Sequence, residues 1–516
     1  MQTEKEFTQG RAINSLKCES VGEYALPDYN GDVKKILLVK TQVFPAGKFV
    51  GEDLLEFSGS VGYEVVYVDG ENRVTHTEFT TDYEAAVRIN SESYIDSDIK
   101  TSVSACNMRL IGPRKLSVKS SLDNEVRISE RREYAVVGDV FSEHEPEYVS
   151  DEISVFTSGF ASGEVRDINE EIITIDGAIA DEVEILVSDV DLYADVATKT
   201  GGTLEVKGSL KVGMLYKNGE DEVKFAEREI PYSDELELDS AYEYDDVDLR
   251  IDVANKKASV VPGEDGVSLC LSMNVSTKAY AKKNIQLDVI TDAYLKEKGV
   301  ENEHSEIGYT KYNCTEKSVD TFDTKSALTD FDLAGFSEIV YADASAKVEK
   351  CELSENSAKI FGEIRFSAIA CQTLEEGIRN YLSVKFSSQF EQNVNINSQI
   401  CDNTRANCAV DVKDVAIQIA ENEVMASCTL CAEVNLYSDE YQRCLVASVT
   451  TEEEYLRDGS VVTVYYPDAS ESLFEIAKRF HTSVAAIAGA NRLTESVFAS
   501  SYRPIGETDV KKLLIK

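Results

Sequence analysis

Three segments of this 516-residue chain line up around a glycine: FSGSVGYEVVYV at Gly59, VKGSLKVGMLYK at Gly208 and IFGEIRFSAIAC at Gly362. The spacings, 149 and 154 residues, are domain-sized rather than the short period of a solenoid. In each copy the second, fourth and sixth residues after the glycine are apolar. They are Val61, Tyr63 and Val65; Leu210, Val212 and Met214; Ile364, Phe366 and Ala368. Apolar residues at every second position, with mostly polar ones between them, mark a strand with one face on a core. A slip of one residue would turn that whole apolar set into water, so the register is strongly specified.

The agreement extends past one strand. An apolar pair begins twenty-three residues before each glycine (Ile36-Leu37, Ile185-Leu186, Ile339-Val340), and an aromatic follows twenty-four residues after it (Tyr83, Tyr232, Phe386). The first two copies carry hairpin dipeptides, Asp69-Gly70 and Asn218-Gly219, suited to a type I′ turn, whereas the third copy predicts a longer loop. Each copy then has a second alternating strand, starting near Lys115, Gly266 and Glu423, with which the glycine-marked strand is expected to pair. Two acidic stretches, SEHEPEYVSDE and EKGVENEHSE, read as linkers. The expected architecture is mainly β: three tandem β-sandwich-like repeats over 20–140, 141–298 and 299–455, then a small α/β domain over 459–516.

That last domain differs in composition. Residues 459–516 hold six acidic and seven basic residues, so the preceding chain carries −43 of the net −42. Such acidity keeps a large β-rich protein in solution and disfavours contact with nucleic-acid phosphates or anionic lipid. The segment reads strand, helix, helix, strand. VVTVYY is β-branched and aromatic, Ser472 and Glu475 make a capping box, SVAAIAGAN is a second helix, and KKLLIK closes the unit.

These residues resemble two known families. The lead-in YALPDYNGDVKKILLV, followed by GSVGYEVVYVDGENRVTHTEF, is similar to the SPOCS domain named for spore-coat proteins, and IPYSDELEL in the second copy matches it too. The C-terminal order resembles a LysM domain at Pro467, Leu473, Ile476, Ala477, Phe480, Val484, Asn491 and Leu493, with a turn, PDASESL, that lacks the usual glycine. The combination resembles spore-coat morphogenetic proteins of the SipL and SpoVID type. The resemblance implies a non-enzymatic scaffold in the mother cell of a sporulating bacterium, tethering the coat basement layer at the outer forespore surface. Its implied partners are the coat ATPase SpoIVA and other coat proteins. A LysM module implies peptidoglycan or chitin-type glycan as the alternative ligand. Asp468, Ser470, Leu473, Asn491 and Leu493 are the candidate binding residues, on the turn and the loop that line a LysM groove.

No phosphate-binding glycine loop, metalloprotease motif or nucleophile elbow occurs in the sequence, so no cofactor or catalytic residue is expected. The four histidines are scattered, which argues against a His-based metal or acid–base site. Cys428 and Cys431 form a lone C-x-x-C, but on a strand they point to opposite faces and cannot share one metal. With no export signal or long apolar stretch at hand, the eleven cysteines are expected to be reduced thiols in the cytoplasm and no membrane insertion is expected.

Overall fold

The structure, a computed structural model, describes residues 3–44, 46–90, 92–137, 145–200, 202–219, 222–238, 244–331, 333, 335–374, 377–420, 423–455, 461–493, 503–505 and 510–516. It is mainly β. Up to Glu454 the strands form three units, each a pair of facing sheets.

The first unit contains β1 (Thr3–Ala25), β2 (Val33–Val43), β3 (Gly47–Val50), β4 (Leu54–Asp69), β5 (Val74–Arg88), β6 (Tyr94–Gly112) and β7 (Lys115–Val136). One sheet is β2-β4-β3, with β5 also paired to β4; the other runs β1-β7-β6. The second unit runs from β8 (Pro146–Ser162) and β9 (Arg166–Asp176) through β10 (Val183–Thr200), β11 (Thr203–Asn218) and β12 (Glu222–Glu237) to β13 (Asp246–Pro262) and β14 (Gly266–Leu295). The third has β15 (Lys298–Ala327), β16 (Glu338–Ser354), β17 (Ser357–Thr373), β18 (Arg379–Asn395), β19 (Thr404–Ile419) and β20 (Glu423–Glu454). In both, the glycine-marked strand is central, giving β10-β11-β12 and β16-β17-β18. The partner sheets are β13-β14 with β8 and β9, and β15-β20-β19.

The glycine-marked strand does not pair with the alternating strand about sixty residues later. The two lie in opposite sheets, and their apolar faces meet across the sandwich. Val61, Tyr63 and Val65 of β4 pack in one cluster with Leu116, Val118 and Leu122 of β7. The reason is that two strands, each apolar on one face, bury most surface face to face, while neighbouring hairpin strands satisfy their backbone groups.

The acidic stretches read as linkers are largely strand. β8 begins at Pro146 and pairs with the C-terminal half of β14, whereas β15 begins at Lys298 and pairs along β20. Residues 142–144 and the expected boundary near 141 lie outside the described residues. Both β8 and β15 are edge strands, where backbone pairing to one neighbour is enough and charged side chains discourage pairing with another chain. β1, likewise, begins at Thr3, well before residue 20.

Each glycine lies directly opposite an aromatic: Gly59 faces Tyr83, Gly208 faces Tyr232, and Gly362 faces Phe390. The third partner is therefore Phe390 and not Phe386, which pairs with Phe366 because that hairpin is longer. At Gly208 an added methyl would overlap the backbone carbonyl of Tyr193. Gly208→Ala is accordingly expected to cost about 3 kcal/mol, read as a drop in the urea midpoint. Gly70→Ala should be neutral, although the sequence made Gly70 a turn residue. In the first hairpin the left-handed residue is Asn72 (φ 67°), and the Asp69 carboxylate accepts the backbone N–H groups of Glu71 and Arg73. Gly219 does adopt positive φ (47°), directly after Asn218, which pairs with Glu222 at the end of the ladder.

Candidate functional site

The apolar pairs mark an irregularity common to all three units. The register of β2, β10 and β16 shifts between Ile36 and Leu38, between Ile185 and Val187, and between Ile339 and Tyr341. A bulge of this kind re-aims consecutive side chains. Ile36, Ile185 and Ile339 pack on their own sandwich cores. Leu37 and Leu38, Leu186 and Val187, and Val340 and Tyr341 instead meet in one further core built from all three units. Val66, Leu215 and Ile369, each seven residues after its glycine, complete that junction.

Beside the junction, three equivalent positions converge with different charges. Lys40, Asp189 and Asp343 each lie nineteen residues before their glycine, and the Lys40 ammonium bridges Asp189 at 3.1 Å and Asp343 at 2.8 Å. Tyr341 donates its hydroxyl to Asp189 at 2.5 Å. A cavity of about 440 Å³ opens alongside, lined among others by Lys40, Glu64, Asp189, Val253 and Lys256. Burial pushes the Glu64 carboxyl above the usual range, opposed by Lys256 at 3.4 Å. Lys40 and Lys256 are thus already engaged by protein carboxylates, which makes this seam structural.

A second charged seam ties the outer sheets together. Arg250 pairs with Asp98 of the first unit at 3.0 Å, and Asp248 takes Arg127 of the first unit at 3.4 Å. Lys282, 4% exposed, reaches Asp248 at 2.5 Å and Thr315 of the third unit at 3.1 Å. Buried charges of this kind are tolerated because each is paired and hydrogen-bonded.

The C-terminal segment forms β21 (Thr463–Tyr465), α1 (Leu473–Arg479), α2 (Val484–Asn491) and β22 (Leu513–Ile515). The capping box forms as the spacing implies: Glu475 donates its backbone N–H to Ser472 Oγ at 3.1 Å, and Ser472 donates its own to the Glu475 carboxylate at 2.8 Å. Leu473, Ile476, Ala477, Val484, Ile487 and Leu513 make a core that also takes in Tyr294 of β14. The segment is docked as well as folded. Phe474 meets the Tyr294 ring edge-on at 5.2 Å, the Tyr294 hydroxyl donates to the Thr482 carbonyl at 2.6 Å, and Lys478 pairs with Asp292 at 2.5 Å.

The five residues singled out from the sequence fall into different environments. Asp468 and Ser470 are exposed on the turn, where the Asp468 backbone N–H donates to the Glu471 carboxylate at 3.0 Å. Leu473 is 2% exposed and belongs to the core, and Leu493 packs against that core. The Asn491 amide donates to the carbonyls of Ile487 and Leu514, both at 2.8 Å, and accepts from Leu514 N–H at 2.7 Å. Its polar capacity ties α2 to β22 rather than facing a ligand. Residues 494–502, which follow this loop, lie outside the described residues.

Sequence reasoning missed the outer face of the small sheet. Val462, Val464, Tyr466 and Leu514 are 49%, 52%, 70% and 37% exposed, and Val464 stands directly opposite Leu514. The signal was present: VVTVYY is apolar at both parities, and a strand apolar on both faces needs cover on both. Lys511, Lys512 and Lys516 flank that face with positive charge, and all three are exposed. Asn491 occupies the outward N–H and C=O of Leu514, closing the β22 edge. Among the described residues no strand lies on the other side of β21.

The described histidines are not brought together. His76 bonds Glu184 at 2.9 Å, His304 bonds the Thr291 carbonyl at 3.1 Å, and His481 stacks on Tyr455, whereas His144 lies outside the described residues. Cys428 is buried with Val424, Ala426, Leu430 and Ala432, whereas Cys431 is half-buried on the other face of β20. Among the described residues no group of three or more His, Cys, Asp or Glu side chains is placed to hold a metal ion, and no helix is long and apolar enough to cross a membrane.

Residues 170–261, from β9 through β13, match the family model described as SipL, SPOCS domain. The match supports a sporulation-related protein of the SipL type. No curated protein and no solved structure matches the chain.

Proposed function

We propose that the chain is a non-enzymatic scaffold of the bacterial spore coat, which tethers the coat basement layer on the forespore through protein–protein contacts. The observation that carries this reading is the SipL SPOCS match over residues 170–261. The strand order of that region recurs in the units on either side, which supports reading the chain as three SPOCS-like repeats joined at one junction. Three linked units and a terminal module suit a scaffold, because contacts that are weak singly add through effective concentration. The strand–helix–helix–strand order of the terminal segment supports a LysM-like module. Its exposed apolar face, flanked by lysines, suits a protein surface with an apolar centre and an acidic rim. The partner is the coat ATPase SpoIVA, met in the mother cell at the outer forespore surface.

The test measures binding of the full chain to purified SpoIVA and to chito-oligosaccharides by calorimetry. Val464→Glu, on an exposed face, should leave the fold intact and weaken SpoIVA binding at least about tenfold, equivalent to roughly 1.4 kcal/mol. Saturable glycan binding lost on Asp468→Ala, with SpoIVA ignored, would replace this reading with the glycan-binding alternative.

A further inference from the structure

The two edges of the small sheet β21-β22 differ. On β22 both backbone groups of Leu514 are taken by Asn491: the Leu514 N–H donates to the Asn491 side-chain carbonyl at 2.7 Å, and the Asn491 amide donates to the Leu514 carbonyl at 2.8 Å. Those groups therefore point away from β21, so Leu514 and Val464, which stand opposite each other, exchange no backbone hydrogen bonds. It follows that Val464 aims its own N–H and C=O the opposite way, out at the free edge of β21. Among the described residues no group takes them and no strand lies on that side. The side chains there are patterned as well. Val462, Val464 and Tyr466 project on the outer face, while Tyr465 turns inward and meets the Phe480 ring edge-on at 5.2 Å. Burial alternates along β22, so Lys512, Leu514 and Lys516 share the outer face. Continuing the register one step at each end sets Lys516 beside Val462 and Lys512 beside Tyr466. The face is thus apolar in the middle and cationic at both ends, and neither lysine makes an ion pair with a described residue.

We propose that β21 takes a third strand: an extended segment of a partner protein, apolar at alternate positions and acidic at its ends, adds along the Val462–Tyr466 edge. This rests on the scaffold reading for the existence of a protein partner, and states how that partner is held. Backbone groups of the incoming strand satisfy the Val464 N–H and C=O, which gives affinity without regard to sequence. Its apolar side chains extend the row of Val462, Val464 and Tyr466, and its terminal carboxylates meet Lys516 and Lys512, which together select the segment. The addition also gives a sheet of two three-residue strands the third strand that such small sheets need for stability of their own. A second copy of this chain is the poorer occupant, because two molecules of net charge −42 repel on approach.

The experiment uses the full chain and a short synthetic peptide that alternates valine and threonine between aspartates, so its outcome does not depend on SpoIVA being the partner. Fluorescence anisotropy should show saturable binding, weakened at least about tenfold when the same residues are shuffled out of alternation or when lysine replaces aspartate. Hydrogen exchange followed by mass spectrometry should slow at Val464 when the peptide is bound. Val464→Pro removes the outward N–H and none of the bonds to β22, and should weaken binding at least about tenfold, whereas Val464→Thr, which keeps the N–H, should stay within about twofold. The exchange measurement needs only the native chain, so it decides the matter even if Val464→Pro misfolds. Peptide binding with SpoIVA ignored would count against the partner named above and leave strand addition standing. Absent or shuffle-insensitive peptide binding, or unchanged exchange at Val464 in the bound chain, would overturn the proposal. So would slow exchange at Val464 in a free chain that sediments as a dimer, which assigns the edge to a second copy.

Discussion

Val212→Lys is expected to unfold the second sandwich. Val212 is fully buried in the middle of β11, in one cluster with Leu210, Met214 and, from the opposing sheet, Leu269 and Leu271. An ammonium placed there meets only hydrocarbon, and the cost of an unpaired buried charge, about 4 kcal/mol or more, is a large fraction of what holds a domain of this size together. The adjacent Lys211→Val should change stability by less than about 0.5 kcal/mol. Lys211 lies on the other face, where it makes a partly exposed pair with Glu227 at 3.2 Å, an interaction of small worth. Urea denaturation of the two variants, followed by circular dichroism and by limited proteolysis across residues 183–237, separates the cases. Disruption by Lys211→Val with Val212→Lys tolerated would put the strand one residue out of register.

The second large effect is expected one residue along from another core position. Leu186 is 1% exposed and belongs to the junction of the three units, whereas its neighbour Ile185 packs on the core of the second sandwich. Leu186→Asp should therefore part the units while each keeps its strands, at a cost of roughly 3–5 kcal/mol to the junction. Ile185→Asp should instead destabilise the sandwich itself. In solution scattering, Leu186→Asp should increase the radius of gyration with little loss of β signal, and hydrogen exchange should quicken at Leu38, Val66 and Ile369. Its unfolding should split into separate transitions, whereas the native chain is expected to show a shared one. A scattering profile identical to the native protein's would show that the junction does not hold the units together. The ion pairs of Lys40 with Asp189 and Asp343 border the same junction and should be strained by the same opening.

The candidate site was less legible than the strands. Sequence spacing placed Ser472 and Glu475 in a capping box because that motif is local, complete within four residues. The LysM resemblance turns Asn491 toward a ligand, but its partner is Leu514, and no spacing rule connects an amide to a backbone twenty-three residues away. The exposed face of Val462, Val464, Tyr466 and Leu514 was visible as an apolar run, yet the sequence alone does not say which parity of VVTVYY turns inward.

What the sequence by itself determined is the inward face of each glycine-marked strand. Alternation at Val61, Tyr63 and Val65, and at its equivalents, is a one-dimensional property of the strand, so it shows which side is buried without any knowledge of neighbours. Only the tertiary structure decided what each face is buried against. The apolar strands starting at Lys115, Gly266 and Glu423 belong to the opposing sheets, and acidic stretches complete those sheets as edge strands. The bulges turn Leu37, Leu186 and Val340 away from their own cores toward one another. A pair such as Ile36-Leu37 records that both sides of a strand need cover. Which surface supplies the second cover depends on chain segments more than a hundred residues away, whose approach is set by the packing of all three units at once.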